Sequence, residues 1–407
     1  MTGDRFTYLA LTGLLFEHSR QTGTSSYGAL LAVLANVVVA PVLLFAPFTG
    51  ASVDRLNLKH VLVVADALRA LIVLAIPLVY GLSGEASTVF LMVFLLFSVN
   101  VVFLPAKSAF VPEIVPPDRL LAANSLLAVA GVAATGIGAL VGGFVIDRWG
   151  WALAMRLDAL SYLISVATLV LIAYRRTNVG RRPPVTVHRY LAEVGEGWRL
   201  VRKNAAVTVG IVALGAVWFA GGVLHVAGNE RIQAAASSPG MQRLGALLCA
   251  IGVGSALGAW WINTRGRDVS RPLVLGSALV LTGISIVPFA ASSLFAVFLV
   301  AAFFAGVCVA PVLVLSETVL QEGTRLEHRA RIFSARDFLM RLTLLASVSA
   351  TAWFADVTSA GRSLLLCSIV LIGVGAATLV RARRAATPTV DIDLTTSAPT
   401  SGSSPRQ

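Results

Sequence analysis

The chain predicts an all-α polytopic membrane protein with twelve spans in two sets of six and a truncated first helix. Three observations carry that prediction. Of the 407 residues, 57% are hydrophobic and only 13% charged, with mean hydropathy +0.83, whereas a soluble domain carries about 25% charged residues. So much apolar side chain cannot be hidden from water, so lipid is its solvent. Runs of the roughly 20 apolar residues that a spanning helix needs recur along the whole chain. Finally, the basic residues alternate between rich and poor loops.

Hydropathy places the spans at 5–16, 27–48, 60–82, 88–111, 121–146, 150–174, 205–227, 243–263, 271–291, 293–316, 333–355 and 361–380. The first is too short: Phe6 to Phe16 covers about half a bilayer at about 1.5 Å per residue. It reads as the outer half of helix 1, with the start of the chain missing or mis-assigned. Orientation follows from the loops. Arg55 and Lys59 follow span 2, Arg119 span 4, Arg175 to Lys203 span 6, Arg265 to Arg271 span 8, Arg325 to Arg331 span 10, and Arg381 to Arg384 span 12. The other loops hold few basic residues, so the even-numbered exits and both termini are expected in the cytoplasm.

Residues 1–174 form one six-helix set and 205–384 the other. Residues 175–204 join them as a cytoplasmic linker. Within it Tyr190, Leu191, Val194, Trp198 and Val201 recur at helical spacing among charges, which predicts an amphipathic helix on the inner membrane face. It could be a plain connector or a regulatory element. Residues 385–407, rich in Ser, Thr and Pro, read as a disordered cytoplasmic tail. A faint repeat links the sets: Pro105, Glu113 and Arg119 recur as Pro311, Glu317 and Arg325, about 204–206 residues later. Parallel halves of this kind characterise one class of secondary transporter.

The net charge of +12 does not indicate nucleic acid, because the basic residues sit in short loops between apolar runs. Cys249, Cys308 and Cys367 lie inside apolar runs without disulfide or metal spacing, and the five histidines form no ligand set. No phosphate-binding loop of the form G-x-x-x-x-G-K-[ST] occurs, which argues against ATP as energy source. No nucleophile, base and orienting group gather, so an enzyme is not expected, nor is a metal or cofactor.

The most specific motif is Gly50-Ala51-Ser52-Val53-Asp54-Arg55-Leu56-Asn57-Leu58-Lys59, between spans 2 and 3. It resembles the cytoplasmic loop between helices 2 and 3 of the major facilitator superfamily of transporters, with Asn57 and Leu58 departing from the pattern. The resemblance continues in Pro105 to Pro116, in Leu120 to Ser125, in Asp66-Ala67-Leu68-Arg69, in Asp158 to Leu163 and in Glu196 to Arg202. These are similar to the branch holding macrolide-efflux and enterobactin-exporter proteins. They imply the twelve-helix major-facilitator fold with six plus six helices.

Gly50, Asp54, Arg55 and Lys59 are then the inner-gate loop. Asp54 is expected beside the start of span 11, whose free N–H groups and dipole favour an anion; a plain solvated turn is the alternative. Asp66 and Arg69 share a helix face within span 3, and Arg336, Asp337 and Arg341 sit similarly in span 11. Charge inside a membrane costs roughly 2.5–3.5 kcal/mol on insertion scales, which favours one charge network at the inner gate over proton carriage by Asp66. Asp158, in the outer third of span 6, is the better proton site, with a hydrogen bond inside the bundle as the alternative. Gly138, Gly142 and Gly143 resemble an antiporter glycine motif that lets helices approach closely, with Ala139 where proline is usual. Gly143 to Gly150 also fits G-x-x-x-D-R-x-G, but topology puts it outside, so it reads as a chance match. Thr12, Asn100, Arg156, Trp218 and His225 are candidate cavity residues.

The resemblance implies a secondary transporter that exports small amphipathic compounds by proton antiport. Its partners would be a small-molecule substrate, protons and the lipid bilayer, and it would work as a monomer in the cell membrane. A siderophore or lysophospholipid exporter is the alternative within the class, and a non-transporting membrane sensor or scaffold the alternative outside it.

Overall fold

A computed structural model describes residues 2–23, 27–53, 56–174, 187–234, 240–265, 270–322, 326–355 and 358–386. Among these residues the chain forms thirteen helices: α1 (Thr2–Thr22), α2 (Tyr27–Val53), α3 (Leu58–Ser83), α4 (Ala86–Ile114), α5 (Leu120–Trp149), α6 (Trp151–Leu171), α7 (Val187–Lys203), α8 (Ala205–Ala234), α9 (Met241–Arg265), α10 (Arg271–Ala291), α11 (Phe295–Glu322), α12 (Leu326–Trp353) and α13 (Ala360–Ala386). Nine of them are long and apolar enough to cross a membrane: α2, α3, α4, α6, α8, α9, α10, α11 and α13. The other long helices, α1, α5 and α12, pack among them. The ends of the bundle are called outer and inner here, the inner end being the one with the basic loops.

The helix ends follow from local chemistry. Asn57 caps α3 by accepting the His60 N–H at 3.3 Å, and Asn204 caps α8 through Ala206 and Val207. Gly150 alone separates α5 from α6, at φ +86°, a conformation that side-chain-bearing residues rarely adopt. Pro105 and Pro311 do not end their helices. They lie inside α4 and α11, where neighbouring helices can satisfy the backbone groups a proline frees.

Helix α1 is longer than its apolar run, because its last turns continue through Glu17, His18, Arg20 and Gln21. Its position is nevertheless that of an outer segment. Gly142, seven residues from the outer end of α5, faces Phe6, and Thr7 bonds Asp158 near the outer start of α6. The first turns of α1 therefore lie against the middle of the bundle.

The linker helix α7 packs against the second helix set. Its apolar face, with Trp198, Leu200 and Val201, packs on Ile332, Phe333, Leu339 and Met340 of α12 and on Val207, Ile211 and Leu214 of α8.

The first six helices pack chiefly among themselves, as do α8 to α13. They meet chiefly at two seams, α5 with α9 and α2 with α12, and α1 and α2 also touch α8. Every hydrogen bond described between the two sets lies in the outer half or the middle of the bundle. Asn36 bonds Ser349 at 3.0 Å, Tyr8 bonds His225 at 2.7 Å, and Asp147 bonds Met241 and Gln242. The structure is therefore closed at its outer end.

Candidate functional site

Helix α6 places Asp158, Ser161, Tyr162 and Ser165 on one face, and that face organises the polar interior of the first helix set. Asp158 is 1% exposed and accepts hydrogen bonds from Thr7 and, at 3.2 Å, from Ser161. One turn further in, Ser165 donates to Asp66 Oδ2 at 2.6 Å. Asp66 pairs with Arg69 at 2.5 Å, both side chains being at most 3% exposed. The Arg69 guanidinium lies between two rings, 3.6 Å from the Phe103 centroid and 4.9 Å from that of Tyr162. Stacking of this kind is worth about 2 kcal/mol or more where the cation is desolvated.

This seam borders a cavity of about 580 Å³. Leu11, Leu34, Val38, Leu96 and Phe97 form much of its wall, with Thr7, Tyr8, Arg69, Asn100, Thr135 and Tyr162 as the polar part. Among the described residues, Arg69 is the only charged side chain of the lining. It stands about 16 Å along α3 from Leu58, close to the middle of the helix. Asp158 and Asp66 both reach the cavity through one partner, Thr7 for the first and Arg69 for the second.

The cavity candidates divide. Asn100 lines it, 3.5 Å from the Arg69 guanidinium. His225 is in the seam between the two sets: its Nε2 lies 3.3 Å from the Leu31 carbonyl oxygen and its Nδ1 2.7 Å from the Tyr8 hydroxyl. A carbonyl can only accept, so Nε2 carries the proton and Nδ1 accepts from Tyr8. Thr12 is fully buried and donates to Leu9 O of its own helix. Trp218 is 39% exposed and does not line the cavity. Arg156 is exposed on α6 and also lies off the cavity, because it is two residues from Asp158 and so faces another way.

The expected single charge network is two. Asp66 and Arg69 bond within the first set, while Arg336 bonds Asp337 and, across to α11, Glu317. No described bond joins the two groups, in keeping with a bundle held together at its other end. Arg341 is partly buried on α12. Of the loop residues, Asp54 and Arg55 lie outside the described residues, and Gly50 is in the last turns of α2. Lys59 donates to the Val170 and Ile172 carbonyls at 2.9 and 2.7 Å, closing the end of α6. Beyond the span of α11, Arg271 donates to both oxygens of exposed Glu322, which holds that carboxyl below its ordinary range.

The glycines are closely packed. Gly138 is buried. A Cβ on Gly143 would overlap the Met241 carbonyl oxygen, and one on Gly245 would overlap that of Ala139. Gly142 faces Phe6 and Leu9. The α5–α9 seam is thus a backbone-to-backbone contact that small residues permit.

Sequence reasoning missed Thr7, Tyr8, Phe103, Tyr162 and Ser165. The i, i+4 pair of Ser161 and Ser165 beside Asp158 was the available signal.

Comparison with known proteins agrees with this architecture. The chain is similar over its length to the uncharacterised transporter YvqJ of Bacillus subtilis, 24% identical over 92% of this chain and 88% of that one. It is 22% identical to macrolide efflux protein A of Streptococcus pyogenes, over 88% of each. Among solved structures, the peptide transporter POT in complex with sulfate superposes with TM-score 0.71 at 15% identity, over 94% of this chain and 92% of that one. A family profile, Major Facilitator Superfamily, matches residues 4–342. With the helical bundle, the two seams and that match over most of its length, the chain belongs to the Major Facilitator Superfamily and is a multi-pass membrane transporter.

Proposed function

We propose that the chain exports small amphipathic compounds across the cell membrane by proton antiport, with both termini and the α7 linker in the cytoplasm. It would act as a monomer of two six-helix bundles that alternate access to a central cavity. The observation that carries the reading is the cavity: about 580 Å³, mostly apolar and aromatic, with a polar edge at Arg69 and Asn100. A wall of this kind suits a hydrophobic body with one polar group better than a sugar. The similarity to macrolide efflux protein A supports export as the direction.

Antiport needs a carboxylate whose protonation changes as access alternates. Asp158 has that chemistry. It is buried, held by two hydroxyls, and separated from the cavity by Thr7 alone. Thr7 belongs to α1 and Asp158 to α6, so a relative movement of the two helices would make or break that hydrogen bond. Lysophospholipid export fits the same wall. It is favoured by the 28% identity to the lysophospholipid transporter LplT of Photorhabdus laumondii, over 46% of this chain and 45% of that one.

The test is transport in proteoliposomes carrying an imposed proton gradient, with an amphipathic fluorescent dye, a macrolide and a lysophospholipid as separate cargoes. Gradient-driven movement of one of them that an uncoupler collapses supports the reading. Folded protein that moves none of them overturns it in favour of a non-transporting sensor.

A further inference from the structure

The match Gly143-x-x-x-Asp147-Arg148-x-Gly150 has no role in the reading above, yet its geometry is specific. Asp147 ends α5, and both its carboxylate oxygens accept backbone N–H groups at the start of α9. Oδ1 takes Met241 N at 3.1 Å and Oδ2 takes Gln242 N at 2.8 Å. These are two of the four N–H groups that a helix start leaves without an internal partner. The helix dipole and the nearby Arg243 add positive potential there. The carboxylate belongs to the first helix set and the capped helix to the second, so this bond spans the seam. It is possible only because Gly143 and Gly245 let the two backbones touch.

Six-helix halves of this superfamily are nested inverted repeats of three helices. Inversion relates α2 to α5 in the first half and α12 to α9 in the second. The loop after α2, with Gly50, Asp54 and Arg55, therefore has its inverted counterpart at the end of α5, with Gly143, Asp147 and Arg148. The start of α12 likewise corresponds to the start of α9.

We propose that Asp147 is the latch of the outer gate. It is the counterpart, at the other end of the bundle, of the Asp54 loop, and it holds the inward-facing state by capping α9. The contact requires α5 and α9 to touch at their outer ends, so it is broken whenever the outer gate opens. Asp147 thereby biases the equilibrium toward the closed-outside form without contacting substrate. The proposal rests on the alternating-access reading.

The test uses full-length protein without native cysteines, carrying spin labels in two separate pairs. Glu85 and Ser293 report on the outer end; Asp118 and Thr264 report on the inner end. All four are exposed. Asp147→Ala should lengthen the outer distance and shorten the inner one together, raising the ratio of outward-open to inward-open protein about tenfold, equivalent to about 1.4 kcal/mol. Asp147→Asn, which keeps the shape and one acceptor, should give a smaller shift in the same sense. Broadening of both pairs without that reciprocity, or unchanged distances in either folded variant, overturns the proposal. Dye transport by the unaltered protein is measured alongside. Reciprocal distances without any transport would fail the export reading while leaving the latch intact.

Discussion

The Tyr8 hydroxyl donates to Nδ1 of His225 across 2.7 Å, joining α1 of the first helix set to α8 of the second. Because Nε2 of the same ring is held by the Leu31 carbonyl at 3.3 Å, one histidine ties α1, α2 and α8 together near the outer gate. Tyr8→Phe removes the donor and leaves a buried acceptor unpaired, at a cost of about 1–3 kcal/mol. The expected outcome is faster labelling, from outside, of a cysteine placed at Asn36, with little change in expression. Labelling at the unaltered rate would show that the bond does not hold the gate.

Arg69→Ala should be severe. It removes the cation paired with buried Asp66, which Ser165 also contacts, and breaking a buried pair costs about 3–5 kcal/mol. Thermal unfolding in detergent should show a large fall in Tm. Arg69→Ala with Asp66→Asn should recover a good part of it, because the buried negative charge is removed together with its cation.

The proposed antiport predicts that coupling and gating separate at the two carboxylates. Asp158→Asn should abolish uphill export while downhill flow and exchange persist. Asp66→Asn should slow all three, because it disturbs the packing of Arg69 rather than a proton step. Both are read in the proteoliposome assay with and without a pH gradient. Equal loss of downhill flow in the two variants would remove Asp158 from the proton step.

Gly143→Val or Gly245→Val should prevent closure of the α5–α9 seam. A side chain there meets a carbonyl oxygen that a helix cannot move aside, and overpacking typically costs about 1–3 kcal/mol. The reporter pair Glu85 and Ser293 should lengthen, and transport should stop. Gly81→Val, at a site with nothing within contact distance, serves as the control and should behave as the unaltered protein.

Orientation is tested by cysteines at Glu85 and Asp118, both exposed and at opposite ends of the bundle. Membrane-impermeant reagent should reach the first from outside and the second only after permeabilisation. Labelling of both from one side would overturn the six-plus-six arrangement.

Much of the fold was legible because hydropathy and loop charge are one-dimensional quantities. The nine strongly apolar helices could be read from the chain. The site was legible only where charge betrayed it. Asp66, Arg69 and Asp158 stood out because charge is rare within spans, but their partners are ordinary serines, threonines and aromatics whose importance lies in which helix face meets which. Arg156 misled for the same reason: two residues from Asp158, it shares its sequence neighbourhood but not its face. The Asp147 match was set aside because its pattern was expected on one side of the membrane only. Inverted repeats place the same chemistry at both ends.

Within α8 the five residues Leu224–Gly228 make a π-helical turn, one residue wider than the helix on either side. An extra residue shifts the angular register of everything beyond it by about 100°, the increment of one residue in a 3.6-residue turn. That shift sets where Arg231 points, and there it reaches the Phe289, Ala290 and Ser292 carbonyls at the outer end of α10. Removing a single residue from the turn would regularise α8 and swing Arg231 off those carbonyls. The outer tip of α8 thus depends on chain length at one point more than on the identity of any residue there, so single-residue deletions between 224 and 228 should be far less tolerated than substitutions at the same positions.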